Sequence, residues 1–431
     1  MNYYSLNKKA PNTSFKNAVI KGLAPDKGLY FPEEITPLPK SFFDNIDSLS
    51  HLEIAFEAIK QFVSPDIPEA VLKNILEETL SFDFPIENLN DNISTLELFH
   101  GPTLAFKDVG ARFMARCLGY FNKDNANEVT VLVATSGDTG GAVANGFLGV
   151  KGVNVVILYP SGKVSDIQEK QLTTLKKNIT ALEVDGVFDD CQDMVKQAFL
   201  DEDLISKMQL TSANSINVAR WLPQLFYFMF AYKQLYKKHK NIVFSVPSGN
   251  FGNICAGMMA QRLGLPVQHF IASNNANNVV TEYLTTKQYH PKPSVQTISN
   301  AMDVGNPSNF IRIQELFQNN FDTLKENLSS YSFTDTETKN AIKEIYNDYS
   351  YIADPHGAVG YLGCKAYLKE HPDSHCVFLE TAHPTKFLDV VEDTIRENID
   401  LPEQLLKVMD KKKRSIKIST YQDLKTYLLE R

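Results

Sequence analysis

A short strand, a polar loop and an apolar-periodic helix follow one another repeatedly from about residue 94, and this order constrains the fold more than any other feature of the chain. The clearest cases are EVTVLVATSGDTGGAVANGF (128–147), NIVFSVPSGNFGNICAGMMAQRL (241–263) and CVFLETAHPTKFLDVVEDTI (376–395). VNVVILYP (153–160) and NITALEVDG (178–186) read as further buried strands. Such alternation predicts α/β domains whose mostly parallel sheets carry helices on both faces.

The first 92 or so residues follow a different pattern. Helical segments such as HLEIAFEAIKQFV and EAVLKNILEETL are joined by proline-rich stretches such as FPEEITPLPK. We therefore predict a mainly helical N-terminal domain. The full length of 431 residues also exceeds what one hydrophobic core serves, so two or three domains are expected.

Composition excludes several classes of function. The net charge of −8 argues against a nucleic-acid surface, which needs clustered Lys and Arg, and we interpret the basic run 411–414 as a solvated tail. Five cysteines without CxxC spacing predict no disulfide framework, no metal site and a reducing compartment. The most apolar run, 221–232, is shorter than the roughly 20 residues of a membrane span. Because the N-terminus also lacks a signal-peptide core, we expect a cytoplasmic protein.

The loop VPSGNFGN (246–253) follows a strand and opens a helix. Gly249 and Gly252 allow consecutive N–H groups to face one point, and the helix dipole adds partial positive charge there. Ser248, Asn250 and Asn253 add side-chain donors. The pattern favours a phosphate monoester over a tight structural turn, and it matches neither a Walker A loop nor a GxGxxG fingerprint.

The loop ATSGDTGGA (134–142) has the same position after a strand. The hydroxyls of Thr135, Ser136 and Thr139 and the backbone N–H groups suit a carboxylate. Asp138 lies near the helix start, where a carboxylate is favourable. Taken alone, the loop is equally consistent with a structural cap.

The segment TSANSINVARW (211–221) combines serine, asparagine and arginine ahead of an apolar helix. These residues suit a second phosphate, with Arg220 making a two-pronged charged contact. A capping run with Arg220 in a surface ion pair is the alternative, and the segment alone slightly favours it.

Lys107 stands in FHGPTLAFKDVGARF (99–113), where a loop becomes a helix. Two phosphate-type loops, one carboxylate-type loop and this lysine together indicate a phosphorylated cofactor and a phosphorylated amino-acid substrate. Pyridoxal 5′-phosphate uses a lysine in this way, as a Schiff base.

Six motifs in order closely resemble the threonine synthase family, of the longer type found in enterobacteria and yeast: FHGPTLAFKDVGARF, ATSGDTGGAVANGF, SANSINVARWLPQ, VPSGNFGNICAG, DPHGAVG and ETAHPTKF. The N-terminal FKNAVIKGLAPDKGLYFPE is also similar to that family. The resemblance implies a fold type II pyridoxal phosphate enzyme, tryptophan synthase β-like, with two open, mostly parallel sheets. It also implies a lyase that converts O-phospho-L-homoserine and water to L-threonine and phosphate, the last step of threonine biosynthesis.

The resemblance also implies roles for individual residues. Lys107 would bind the cofactor covalently, and Thr381 would face its pyridine nitrogen. The cofactor phosphate would lie in the loop formed by Ser248, Gly249, Asn250, Phe251, Gly252 and Asn253. The substrate carboxylate would lie in the loop formed by Thr135, Ser136, Gly137, Asp138 and Thr139. The substrate phosphate would be held by Ser215, Asn217 and Arg220.

The DPHGAVG and ETAHPTKF motifs leave some residues without a role. Asp354 and His356 match the family motif but receive no assignment, and we interpret His383 as structural. Gly357 stands where the family pattern has threonine or alanine, an exchange that we expect to matter little.

From the predicted cofactor and substrate loops, we predict three domains. Residues 1–92 form the N-terminal domain, residues 93–106 and 211–431 form the large cofactor-binding α/β domain, and residues 107–210 form the small α/β domain with the substrate carboxylate loop. We expect a monomer or a homodimer that binds a small-molecule substrate and neither nucleic acid nor membrane.

Other functions remain open at this point. A serine or threonine dehydratase of the same fold needs no second phosphate site, so the 211–221 segment argues against it. A phospholyase acting on a related γ-phosphorylated amino acid is closer. A non-catalytic ligand-binding homologue is disfavoured by the unbroken motif around Lys107, and a nucleotide-binding enzyme lacks a motif for magnesium or ribose.

Overall fold

The computed structural model describes residues 1–124 and 128–430 of the chain. Within them the strands, in chain order, are β1 (Asn2–Ser5), β2 (Thr13–Ser14), β3 (Tyr30–Pro32), β4 (Ile86–Asn88), β5 (Ile93–Glu97), β6 (Val129–Ala134), β7 (Val153–Pro160), β8 (Ile179–Val184), β9 (Gln209–Ser212), β10 (Ile242–Pro247), β11 (His269–Asn274), β12 (Leu328–Ser332), β13 (His375–Glu380) and β14 (Ile416–Ile418).

The helices of the first half are α1 (Phe15–Lys21), α2 (Lys40–Asp44), α3 (His51–Val63), α4 (Glu69–Thr79), α5 (Lys107–Asn122), α6 (Asp138–Gly146), α7 (Asp166–Thr173), α8 (Phe188–Ala198), α9 (Glu202–Lys207) and α10 (Val218–Trp221). Those of the second half are α11 (Leu225–Leu235), α12 (Gly252–Arg262), α13 (Val279–Thr286), α14 (Phe310–Leu316), α15 (Phe321–Asn327), α16 (Asp335–Tyr349), α17 (Pro355–Leu368), α18 (Leu388–Ile395), α19 (Glu403–Met409) and α20 (Tyr421–Leu429). Short 3₁₀ turns cover Ile46–Ser48, Leu222–Gln224, Asn300–Met302 and Pro384–Phe387.

Two mostly parallel sheets confirm the predicted α/β class. The six-stranded sheet has the order β12-β11-β10-β13-β5-β4, and all its neighbours are parallel except β4 and β5. The five-stranded sheet, β14-β8-β7-β6-β9, is parallel throughout. Helices α1 to α4 accompany a third, antiparallel sheet, β2-β1-β3. Its strands of two to four residues are too short to show a period of two in the sequence.

Both faces of the six-stranded sheet are buried. On β10, Phe244 and Val246 join the core cluster that contains Phe228 of α11, and the rings of Phe228 and Phe244 meet edge to face at 5.0 Å. The intervening Val243 joins a second cluster with Tyr361 of α17. Successive side chains of a strand point to opposite faces, so burial on both sides produces the continuous apolar runs seen in the sequence.

The strand order brings the polar loops together. Strand β13 lies between β10 and β5, so the loops that follow these three parallel strands leave the same edge of the sheet. They carry residues 248–253, Thr381 and Lys107. In the other sheet β6 pairs with β9, which places the loop 135–139 beside the segment 213–220.

Two strands lie in a different sheet from the rest of their predicted domains. Strand β4, within residues 1–92, pairs with β5 of the six-stranded sheet, and β14 near the C-terminus pairs with β8 of the five-stranded sheet. The domain boundaries drawn from the sequence stay a prediction.

The most apolar segment of the chain lies in the protein core. Residues Leu225 to Ala231 of α11 are fully buried. No helix in the described part of the chain is both long enough and apolar enough to span a membrane.

Helix α17 lies directly on the six-stranded sheet through glycine. A Cβ on Gly363 would overlap Ser273 Oγ and approach Ser245 Oγ to 2.6 Å. Gly363→Ala should therefore lower the free energy of unfolding by about 1–3 kcal/mol, because a packed interface resists added volume. Thermal unfolding would measure this. Gly119→Ala on α5 is the control, since its Cβ would meet only Val150 Cγ1, at 3.1 Å; an equal loss in both variants would contradict the packing argument.

Candidate active site

The segment before Lys107 is attached to the end of β13. Phe106 N donates to Thr381 O at 2.9 Å, and His383 N donates to Leu104 O at 3.0 Å. The Tyr227 hydroxyl donates to Phe106 O from the other side. These bonds hold Lys107, the first residue of α5, close to Thr381, as the predicted site requires.

The surroundings of Lys107 favour its neutral form. Burial is the main cause that lowers the pKa of Lys107 to about 8, although its side chain keeps some solvent exposure. Asp138 opposes this shift, whereas Lys386 and Arg220 reinforce it. A lysine with this pKa is partly deprotonated near neutral pH, and the neutral amine is the form that acts as a nucleophile or base.

The loop 248–253 uses its side chains to hold its own shape. Ser248 Oγ donates to Val246 O, and Asn253 Nδ2 donates to Pro247 O, both at 2.8 Å. Asn250 Nδ2 donates to Ser215 Oγ at 2.8 Å. Phe251 is left-handed at φ 60°, and a Cβ on Gly249 would lie 2.7 Å from the Cα of Met302.

The backbone of the same loop is free to bind an anion. Within the described part of the chain, the N–H groups from Gly249 to Asn253 have no protein acceptor. Five free donors at the start of α12 fit the phosphate of pyridoxal phosphate, and Lys107 fits its aldehyde. The sequence predicts that Ser248, Asn250 and Asn253 donate to the ligand through their side chains. In the structure these side chains instead hold the loop in shape.

The loop 135–139 divides into a structural part and an open part. Thr135 Oγ1 accepts from Gly137 N at 2.9 Å and from Gly140 N at 2.8 Å, so this hydroxyl is an internal cap. Ser136 and Thr139 are partly exposed, and no described residue accepts from or donates to their hydroxyls. The arrangement provides two free hydroxyls for a carboxylate.

Asp138 in this loop has a partner that sequence reasoning missed. Lys386 Nζ lies 2.6 Å from Asp138 Oδ1, and both side chains are buried. Gln168 Nε2 also donates to Asp138 at 2.9 Å. Burial alone would raise the pKa of Asp138, but the charges of Lys386 and Lys107 hold it well below its ordinary value. The sequence signal that could have indicated this ion-pair partner is the lysine of the ETAHPTKF motif.

The segment 211–221 presents a buried arginine. Arg220 is 3% exposed, its Nη1 donates to Ala213 O, and its Nε has no acceptor among the residues that the structure describes. Burial lowers the pKa of Arg220 to about 10, so it stays charged at neutral pH. The alternative of a surface ion pair is therefore wrong, and a buried cation without a carboxylate partner suits an anionic ligand.

The other two residues predicted to bind the substrate phosphate are already engaged. Asn217 is fully buried, donates to Val19 O at 2.8 Å and caps α10 by accepting from Ala219 N at 3.0 Å. Ser215 Oγ accepts from Asn250 and, at 3.1 Å, from Asn309. The capping alternative thus holds for Asn217, whereas Ser215 links the two predicted phosphate loops.

Arg312 supports this segment from far along the chain. It donates to Ile216 O at 2.6 Å and to Ser215 O at 3.2 Å, and it stacks 4.9 Å over the ring of Trp221. Nothing near Arg312 in the sequence signals this role.

Comparison with known proteins identifies the family. A family model described as "Pyridoxal-phosphate dependent enzyme" matches residues 85–381, and models described as "Threonine synthase N terminus" and "Threonine synthase, C-terminal" match residues 2–80 and 357–428. The threonine synthase of Escherichia coli (strain K12) is 42% identical over 411 residues, which are 95% of each chain. The chain belongs to the threonine synthase family.

Further relatives agree with this assignment. The threonine synthase of Haemophilus influenzae is 44% identical over 94% of each chain. The crystal structure of the E. coli threonine synthase covers 100% of both chains with a TM-score of 0.93 at 40% identity. A pyridoxal-phosphate-bound threonine synthase from Brucella melitensis covers 100% of this chain and 99% of its own, with a TM-score of 0.92 at 32% identity. The chain is thus a fold type II lyase, and its cofactor is pyridoxal phosphate.

The DPH motif of this family member forms a buried network. Asp354 caps α17, accepting from His356 N at 2.7 Å, and pairs with His356 Nδ1 at 2.5 Å. His356 Nε2 accepts from Ala301 N at 3.2 Å. Ala301 lies against Gly249, so the motif supports the loop 248–253 from behind.

His383 has a structural place, consistent with our interpretation. Its Nδ1 lies 2.8 Å from Thr385 Oγ1, and the residue caps the turn Pro384–Phe387. Burial lowers the pKa of His383 to about 4, which leaves it neutral at ordinary pH.

Gly357 has more consequence than the sequence suggested. The Glu380 carboxyl is fully buried, accepts from Asp354 N and rests on Gly357, where a Cβ would overlap Glu380 Oε2. Burial raises the pKa of Glu380 well above its usual range, and Asp354 adds to the rise. The glycine is required by the glutamate opposite it.

Gly357→Ala should destabilise the protein by about 1–3 kcal/mol, because its methyl group collides with Glu380. When the same glycine change is made in the Glu380→Ala variant, it should cost less than half as much as it does alone, since Glu380→Ala removes the colliding carboxyl group. Thermal unfolding of the two variants, with Glu380→Ala as the control, measures the coupling. Strictly additive losses would show that the two residues do not share this space.

Proposed function

We propose that the chain converts O-phospho-L-homoserine and water to L-threonine and phosphate, acting in the cytoplasm as a monomer or homodimer. The observation that carries the proposal is the placement of Lys107. Its amine has a pKa of about 8 and lies at the edge where β5, β13 and β10 end, in a chain of the threonine synthase family. The division into three domains drawn from the sequence is part of the proposal.

The residues around Lys107 would hold the cofactor from three sides. Lys107 would bind it covalently, the free N–H groups of Gly249–Asn253 would bind its phosphate, and Thr381 would serve its pyridine nitrogen. A hydroxyl at Thr381 does not supply the negative charge that would keep this nitrogen protonated. When bound, pyridoxal phosphate supplies an electron sink that makes protons near the substrate amino group acidic.

The substrate would be oriented by its two anionic ends. The hydroxyls and N–H groups of Ser136 and Thr139 bind its carboxylate, and Arg220 with Ser215 binds its phosphate. In this proposal Thr135 and Asn217 support these groups, and Asp138 pairs with Lys386 instead of contacting the substrate. The contacts of these side chains within the protein support the assignment.

Lys107 would then move the protons. Its neutral amine would remove the proton from the α carbon of the substrate and next one from the β carbon. Arg220 stabilises the charge on phosphate as it leaves the γ carbon. Water adds at the β carbon, and the returned protons complete L-threonine. A low lysine pKa serves both directions, because the same group must accept and return protons near neutral pH.

Arg220 also distinguishes this reaction from that of a dehydratase. A serine or threonine dehydratase has no phosphate on its substrate, whereas the buried Arg220 keeps an Nε without a partner among the described residues, which supports a phosphorylated substrate.

Reduction of the purified protein with borohydride should label Lys107 and no other lysine, as peptide mass spectrometry would show, because Lys107 has the lowered pKa and lies beside the loop proposed to bind the cofactor phosphate, whereas the second buried lysine, Lys386, is paired with Asp138. In parallel, O-phospho-L-homoserine should yield phosphate and threonine in equal amounts. Lys107→Ala should lose both results, whereas Lys369→Ala, at an exposed position, should keep them. A label elsewhere contradicts the site, and phosphate without threonine contradicts the reaction.

Arg220→Lys keeps the charge but loses the two-pronged geometry, so the KM for O-phospho-L-homoserine should rise about tenfold or more, by the ~1.5–3 kcal/mol of a charged hydrogen bond. The absorbance of the bound cofactor should stay unchanged. Steady-state kinetics and spectra measure the two effects, with exposed Arg262→Lys as the control. Loss of cofactor at an unchanged KM would place Arg220 at the cofactor instead.

A further inference from the structure

A buried ion pair joins the loops of the two parallel sheets. Lys386 follows β13 of the six-stranded sheet, and Asp138 follows β6 of the five-stranded sheet. Their charged atoms are 2.6 Å apart, and the side chains are 0% and 4% exposed. Lys386 Nζ also donates to Thr103 O at 2.9 Å. Lys386 is thus a second buried lysine at the site, and the reaction proposed above gives it no chemical step.

Thr103 connects this pair to the start of α5. It donates to the Asp108 carboxylate through its N–H at 2.8 Å and through its hydroxyl at 2.6 Å. Gln171 Nε2 joins Lys386 in donating to Thr103 O, at 3.0 Å. The network therefore runs from Asp138 to Asp108, the residue next to Lys107.

After burial, three charged side chains have the largest effects on the pKa of Lys107. Asp138 favours its protonated form, whereas Lys386 and Arg220 oppose that form. Asp108, next along the helix, is buried and engaged with Thr103. Lys107 itself forms no ion pair with a carboxylate in the described part of the chain, and Asp138 instead pairs with Lys386 and accepts from Gln168.

We propose that Lys386 is a positioning residue that binds the Asp138 carboxylate and so keeps it from pairing with Lys107, leaving the Lys107 amine free to capture the cofactor and to move protons. The inference rests on the proposed role of Lys107. The loop 135–139 must also accept the substrate carboxylate, which a neighbouring aspartate would repel. Lys386 neutralises Asp138 and so makes this aspartate compatible with the loop.

The sign of the effect follows from the charges. Without Lys386, the Asp138 carboxylate would be a buried anion without its ion-pair partner. Lys107 is the other cation whose charge stabilises this carboxylate. An unopposed anion at 4–6 Å raises a lysine pKa by about 1–3 units. The fraction of Lys107 that is neutral at pH 7 would then fall about tenfold for each unit of the rise, and its reactivity would fall with it. Removing Asp138 as well should abolish that rise.

Competitive labelling with acetic anhydride over a pH series tests this on the full-length chain freed of cofactor. Peptide mass spectrometry reports Lys107, and exposed Lys369 in the same digest is the internal reference. We expect a Lys107 midpoint near 8 in the unchanged protein. Lys386→Met should raise it by about one unit or more, which is a tenfold loss of neutral amine below the midpoint. Lys386→Gln, which keeps a donor but no charge, should do the same.

The paired variants separate a charge effect from a purely structural one. Lys386→Met/Asp138→Asn should return the midpoint to within about half a unit of the unchanged protein, and Asp138→Asn alone should lie at or below it. Lys386→Arg, which restores the charge, should keep the original midpoint. The rate of pyridoxal phosphate capture at pH 7.5 should fall in the variants whose Lys107 midpoint rises, and it should be kept in those whose midpoint does not rise.

The proposal is overturned if the Lys107 midpoint is unmoved in both Lys386→Met and Lys386→Gln, or if it stays raised in the double variant. Should Lys386→Met not fold, as thermal unfolding would show, Lys386→Gln decides. The labelling uses no substrate, so its outcome is independent of the turnover assay: a failed turnover assay with the expected midpoints would overturn the reaction but not the role of Lys386.

Discussion

The backbone hydrogen bond from Phe106 N to Thr381 O is the interaction on which the site depends. It attaches the start of α5 to the residue that follows β13, so the reactive lysine and the predicted partner of the pyridine ring are set by backbone geometry. Because β13 lies between β10 and β5, the same attachment brings Lys107 to the loop after β10. Everything else in the site is arranged around this junction.

Polar side chains near the junction mostly hold the backbone in place. Four of these side chains form hydrogen bonds with nearby backbone groups: those of Ser248, Asn253, Thr135 and Asn217. A buried polar side chain without a partner is unfavourable, so side chains that shape a loop must be satisfied inside the protein. Among the described residues, the groups that remain for ligands are the N–H groups of the loop 248–253, the hydroxyls of Ser136, Thr139, Ser215 and Thr381, and the side chains of Lys107 and Arg220. The site binds anions through its backbone more than the residue types alone suggest.

The α/β class and the loop positions were predictable from the sequence because hydrophobic period and glycine-rich strand-to-helix loops are local signals. Lys107 and the loops 135–139 and 248–253 were found in this way, and the family resemblance supplied the chemistry. Lys386, Arg312 and Glu380 were missed or left without a role, since each acts on residues distant in the sequence. The short strands of the N-terminal sheet were missed because they are shorter than the period that reveals a strand.

The sequence by itself determined the kinds of groups available: a lysine at a helix start, donor-rich loops, and the motifs of the threonine synthase family. Only the tertiary structure decided which of those groups are free and which are already bound. It paired Asp138 with Lys386, left the Nε of buried Arg220 without a partner among the described residues, and made glycine necessary at 357 by placing Glu380 against it. The physical reason is that hydrogen bonding, burial and charge compensation depend on distances in space, and parallel strands bring together residues that are hundreds of positions apart in the chain.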